Sequence, residues 1–171
     1  MIDGDVCGFV GKGLRTLELR NMYLDTNDLE ELPNVTSLTL RCIKVTDRAL
    51  TEINEAMPAL ETMALVSVFG VQEAKIVSSR MKVLCLGLST SARVVDLDLP
   101  RVEKLQLKMT CPELLRVCAP NLMYVAVCME KREGAHVEFE QVREATATSV
   151  SHRLIFKDFF LKKNNSSREN A

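Results

Sequence analysis

The 171-residue sequence contains no tryptophan, two tyrosines and six phenylalanines, so aromatic residues make up only 5% of it. That scarcity excludes a surface that stacks unpaired bases, because each base needs an aromatic face beneath it. An excess of charge of either sign is missing too. The formal net charge is −1 and the isoelectric point is near 6.2. Nucleic-acid-binding domains usually carry a basic excess, so no nucleic-acid partner is expected. No run approaches the roughly 18 uninterrupted apolar residues of a membrane helix. Met1-Ile2-Asp3-Gly4-Asp5 places two acids where a secretory leader begins with basic residues. No membrane partner is therefore expected, and the expected location is the cytoplasm or nucleus.

Only two histidines, His136 and His152, accompany six cysteines at 7, 42, 85, 111, 118 and 128. The usual zinc ligand sets are hard to assemble from them. Cys111 and Cys118 stand seven apart, which is not a zinc-ribbon spacing. The cysteines read as reduced thiols, and neither a metal nor a cofactor is expected. Catalysis lacks a foundation as well. Gly8-x-x-Gly11-x-Gly13 is followed by a strand pattern, whereas a dinucleotide fingerprint follows a strand and opens a helix. A pairing such as Cys128 with His136 has no third group to orient it. The chain reads as a non-enzyme.

What the sequence does contain is one phrase, repeated: apolar-x-x-apolar-x-apolar. It occurs as Leu14-x-x-Leu17-x-Leu19, Val35-x-x-Leu38-x-Leu40, Leu60-x-x-Met63-x-Leu65, Met81-x-x-Leu84-x-Leu86, Val102-x-x-Leu105-x-Leu107 and Leu122-x-x-Val125-x-Val127. The copies start at 14, 35, 60, 81, 102 and 122, in steps of 21, 25, 21, 21 and 20 residues. Such a period with this phrase is the signature of leucine-rich repeats. The fold class expected is an α/β solenoid of about six irregular repeats. Short parallel strands form its concave face, and short helices or strands form its convex face. Four segments follow: a lead-in over 1–13, the solenoid over 14–130, a C-terminal cap or extension over 131–161, and a disordered tail over 162–171. The cap expectation rests on the apolar run Leu154-Ile155-Phe156-Lys157-Asp158-Phe159-Phe160-Leu161, since a solenoid must cover its open ends. The tail expectation rests on the polar end of the chain.

The crossovers between repeats differ. After Thr46-Asp47, either of which can cap a helix, Ala49, Leu50, Ile53 and Met57 recur at helical spacing and Pro58 stops the run. Gln72–Ser78 reads as a short helix with Ile76 and Val77 inward, and Asp25–Leu32 as a single turn. Val95-x-Leu97-x-Leu99-Pro100 and Leu115-x-Val117-x-Ala119-Pro120 alternate and read as convex strands. Pro33, Pro58, Pro100 and Pro120 each stand two residues before a repeat start, where a fixed φ makes a corner.

Leu40-Arg41-Cys42-Ile43-Lys44-Val45-Thr46-Asp47-Arg48-Ala49-Leu50, followed by Met57-Pro58-Ala59-Leu60-Glu61, resembles the cysteine-containing leucine-rich repeat. Leu99-Pro100-Arg101-Val102 and Ala119-Pro120-Asn121-Leu122 resemble the corners of plant F-box/leucine-rich-repeat proteins. The resemblance covers roughly Leu14–Cys128. It implies a protein–protein interaction module, a substrate-recognition domain related to the F-box proteins of ubiquitin ligases. In that family an F-box of about forty residues precedes the repeats and docks to the ligase's adaptor subunit. Here the repeats begin at Leu14, so direct adaptor binding is not expected. The alternatives are a ligase-independent scaffold or inhibitor, or a truncated gene product with little function. Asn21 and Cys42 stand two residues after the last strand apolar rather than the usual three, and later repeats lack a polar counterpart. Irregular turns are therefore expected.

Strand alternation points Thr16, Glu18 and Arg20, and their counterparts in later repeats, away from the core. The expected partner-binding set on this concave face is Arg20, Arg41, Ala64, Val66, Val83, Cys85, Lys104, Gln106, Lys108 and Tyr124. Ala64, Val66, Val83, Cys85 and Gly87 make an apolar floor with charge on either side; this is either the anatomy of a protein-binding surface or small apolar residues that suit a curved, crowded concave sheet.

Overall fold

The computed structural model describes residues 13–25 and 31–130. The apolar pairs of the repeated phrase lie on strands throughout. The first part of the chain forms β1 (Thr16–Arg20), β2 (Tyr23–Leu24), β3 (Ser37–Arg41), β4 (Lys44–Val45) and α1 (Asp47–Ala56). It continues as β5 (Thr62–Val68), β6 (Glu73–Val77), β7 (Val83–Leu88) and β8 (Val94–Asp98). The described part closes with β9 (Lys104–Thr110), β10 (Leu114–Cys118) and β11 (Tyr124–Glu130).

One parallel sheet runs in the order β1-β3-β5-β7-β9-β11. Its register joins Leu17, Leu38, Met63, Leu84, Leu105 and Val125 into a single row, one residue from each repeat. On the other side of the core lies a second parallel sheet, β6-β8-β10. Its row Ala74, Val95, Leu115 faces inward opposite the leucines. The strands and corners thus wind as a solenoid, the leucine-rich-repeat architecture. Leu38, Met63, Leu84 and Leu105 are all at most 1% exposed. Leu17 and Val125, at the two ends of the row, are only half-buried, since among the described residues each has a neighbouring repeat on one side alone.

The helix forms where its caps and spacing place it. Thr46 accepts a hydrogen bond from the Ala49 N–H at 3.1 Å and is the N-cap; Asp47 is the first helical residue. Ala49, Leu50, Ile53 and Met57 are buried, and Met57 closes the helix ahead of Pro58. The expected helix over Gln72–Ser78 is absent: this segment is strand β6. Ala74 and Ile76 face the core, while Val77 is 51% exposed rather than inward. A five-residue segment cannot complete two helical turns, and β8 offers it a full ladder of partners. The convex strands expected around Val95–Leu99 and Leu115–Ala119 are β8 and β10. Most of the expected turn at Asp25–Leu32 lies outside the described residues, as do the C-terminal cap segment and tail.

The prolines act as corners. Leu32, Met57, Leu99 and Ala119 each accept a hydrogen bond from the N–H three residues on, at 3.0–3.2 Å. Pro33, Pro58, Pro100 and Pro120 thereby occupy the second position of a β-turn, where their locked φ is already correct. The fourth repeat has no proline. There Ser78 Oγ accepts from the N–H groups of Arg80 and Met81, at 3.4 and 3.3 Å.

In each of the first three repeats one residue takes a left-handed conformation: Asn21 (φ 55°) directly after β1, Cys42 (φ 53°) directly after β3, and Ser67 (φ 55°) within β5, one residue before its end. These residues stack. The Asn21 N–H donates to Arg41 O at 3.1 Å, and the Cys42 N–H donates to Val66 O at 2.9 Å. The unusual spacing of Asn21 and Cys42 is thus one geometry used in three successive repeats, with Ser67 as a member the sequence did not announce. Later repeats drop the turn, and their strands run straight on. The mismatch falls between β5 and β7. Pairing there moves from Leu65↔Leu86 to Val68↔Leu88, so that two residues of β5 oppose Gly87 alone. This is a β-bulge. A Cβ on Gly87 would stand 2.9 Å from Leu65 O, which explains glycine at that strand position. Among the described residues no helix is long and apolar enough to cross a membrane.

Candidate functional site: the exposed face of the six-stranded sheet

Alternation leaves three rows of side chains on the outer face of the large sheet. The first row is Thr16, Ser37, Thr62, Val83, Lys104 and Tyr124. The middle row is Glu18, Thr39, Ala64, Cys85, Gln106 and Ala126. The third begins Arg20, Arg41, Val66, passes the bulge to Gly87, and continues through Lys108 to Cys128. All ten residues singled out in the sequence lie on this face.

Exposure divides the face into three zones. Ala64, Val66, Val83 and Cys85, on β5 and β7, are half-buried. Arg20 and Arg41 on one side are exposed, as are Lys104, Gln106, Lys108 and Tyr124 on the other. The centre sits lower because its side chains are short and its neighbours flank it on both sides.

The two arginines are not independent. Glu18 Oε1 accepts from Arg20 Nε at 2.9 Å and from Arg41 Nε at 3.0 Å. One carboxylate between two guanidinium groups leaves a net positive charge at this end. Strand alternation already turns Glu18 outward, although it is not among the ten expected partner-binding residues. Its position two residues before Arg20 on one strand face was the available signal. Lys104 and Lys108 form no ion pair among the described residues. Below the first row Lys82 Nζ meets Glu61 Oε2 at 2.9 Å, so that pair is neutral.

Burial pushes the Cys85 thiol up, and the nearby Arg41 guanidinium only partly pulls it back. Burial likewise raises Cys111. A nucleophilic cysteine needs the opposite environment. No group of three or more His, Cys, Asp or Glu among the described residues is placed to hold a metal ion. Both histidines lie outside those residues.

A feature absent from the sequence reading flanks the third row. Beyond the left-handed turns, Tyr23, Lys44 and Phe69 line up across three repeats. Lys44 Nζ stands 5.6 Å from the centre of the Tyr23 ring, and Tyr23 and Phe69 are 48% and 37% exposed. The contact is of the cation–π kind.

Residues 8–155 match the family described as FBD-associated F-box protein At5g56370, LRR repeats. The chain belongs to this family. It is also 30% identical over 141 residues to F-box/LRR-repeat protein At4g29420 of Arabidopsis thaliana, an alignment covering 81% of this chain and 32% of that relative. The chain thus spans about a third of the length of the curated relative it matches. No solved structure matches. The leucine-rich-repeat part of an F-box-associated family is a protein-interaction module, and the expectation of a plant F-box/leucine-rich-repeat relationship holds for this part.

Proposed function

We propose that the exposed sheet face is the concave recognition face of this repeat domain, and that it selects protein substrates for a ubiquitin ligase. The observation that carries this reading is the zoning of one continuous face: a half-buried apolar centre on β5 and β7 between exposed cations on β3 and β9. An apolar centre with a polar rim is the anatomy of a protein-binding surface. The F-box in the names of its relatives supports the ligase role. The domain works in the cytoplasm or nucleus, where its cysteines stay as thiols.

Site-specific photocrosslinking tests the surface. A photoreactive side chain at Gln106, on the sheet face, should trap a plant protein that the same group at Lys75, on the convex sheet, does not. Equal trapping from both positions rejects the face. The ligase role has its own test. Depleting the protein in plant cells should lengthen the half-life of the trapped partner, and an unchanged half-life would leave recognition without degradation.

A further inference from the structure

The third row of the sheet face holds cations on both sides of its lowest point. Arg41 lies on β3 and Lys108 on β9, with Val66 on β5 and Gly87 on β7 between them. Glu18 engages Arg41 through Nε only. Among the described residues the terminal nitrogens of Arg41 and the ammonium of Lys108 carry no hydrogen bond. The first row has a cation at Lys104 alone, so this pairing of cations across the floor belongs to the third row.

From that arrangement we infer the chemistry of the bound segment: an extended stretch of a partner protein that crosses the strands with an acidic residue, an apolar residue two further on, and a second acidic residue two beyond that. The inference rests on the recognition reading of this face.

The spacing follows from strand geometry. Neighbouring strands lie about 4.8 Å apart, so the three intervals from β3 to β9 span about 14 Å. An extended chain advances about 3.3 Å per residue, so four residues cover about 13 Å. Residues i, i+2 and i+4 of such a chain point to the same side. The two acids therefore meet Arg41 and Lys108 while the residue between them faces Val66 and Gly87. Gly87 cannot carry a side chain, because Leu65 O occupies the space a Cβ would need. No side chain stands over Gly87, so half-buried Val66 presents its apolar surface to the middle residue of the segment. A basic segment would meet like charge at both ends, and a shorter acidic spacing would reach only one of them.

Fluorescence anisotropy on the full chain, with labelled Ser-Asp-Ser-Leu-Ser-Asp-Ser, tests this. Controls are the same peptide with both Asp changed to Asn, and one with the two Asp residues only two apart. The four-residue spacing should bind at least fivefold more tightly than either control, and the advantage should shrink as salt is raised. Lys108→Glu should abolish the preference, and a peptide with its second Asp changed to Lys should regain binding to that variant. Far-ultraviolet circular dichroism confirms that the variant is folded. Equal binding of the Asp and Asn peptides, or of both spacings, overturns the inference. Photocrosslinking from Gln106 separates the two readings. A partner trapped there without peptide discrimination leaves the recognition face standing and removes only the acidic pattern.

Discussion

Arg41 Nε on β3 reaches diagonally across to Glu18 Oε1 on β1, at 3.0 Å, and shares that oxygen with Arg20. The three side chains are 39–62% exposed, so water already solvates much of their charge. Exposed pairs of this kind contribute about 0–1 kcal/mol. Glu18→Gln is thus expected to leave the denaturation midpoint nearly unchanged while freeing both arginines. Urea melts check this. A loss above about 2 kcal/mol would place the cluster among the structural elements of the fold, outside the range of surface pairs.

The buried row makes a graded prediction. Leu84 is fully buried with repeats on either side, and Leu84→Ala should cost about 2–5 kcal/mol through lost transfer energy and the cavity left behind. Half-buried Leu17 on β1 should cost less on the same change, since it starts from a less buried site and among the described residues has a repeat on one side only. Equal losses in denaturant melts would contradict additive, layer-by-layer stability.

Gly87→Ala should destabilise the chain by about 1–3 kcal/mol, the usual range for overpacking. The new methyl would meet Leu65 O at 2.9 Å, and a carbonyl within a paired strand cannot move aside freely. Gly13→Ala is the control, with nothing within 4 Å of the added carbon. Differential scanning calorimetry of the two variants should separate them clearly.

The cysteines should differ in reactivity. Thiolate is the reacting species. Cys42, Cys118 and Cys128 are exposed, whereas burial holds Cys85 and Cys111 as thiols. Iodoacetamide at mildly alkaline pH, followed by peptide mass mapping, should label the exposed three first. The same shifts carry a stability sign. An unfolded cysteine ionises near about pH 8.5, while the folded Cys85 and Cys111 hold their protons to higher pH. The unfolded state then binds fewer protons, so stability is full below that pH and falls as pH rises through it. Denaturant midpoints that rise across that interval would reverse the assignment.

Much of this was legible in the residues alone. The 20–25-residue spacing of one apolar phrase determined the strand centres, their parallel pairing and the side chains left on the outer face. That follows because a strand's period of two admits only one register that buries Leu, Met and Val together. Thr46 and the four proline corners, Pro58 among them, act locally, through a side-chain oxygen and a locked φ, and so can be read locally. The tertiary structure decided the rest. Glu73–Val77 is a strand because β8 lies beside it, a partner no short-range pattern contains. Ser67 shares the left-handed conformation of Asn21 and Cys42, with the Cys42 N–H bonded to Val66 O beside it, and Gly87 is glycine because the bulge brings Leu65 O into its side-chain space. Glu18 joins Arg20 and Arg41 across a strand boundary, and Tyr23, Lys44 and Phe69 meet only once three repeats are stacked. Contacts between layers depend on coordinates some twenty residues apart, which is why they emerge only when the chain is wound.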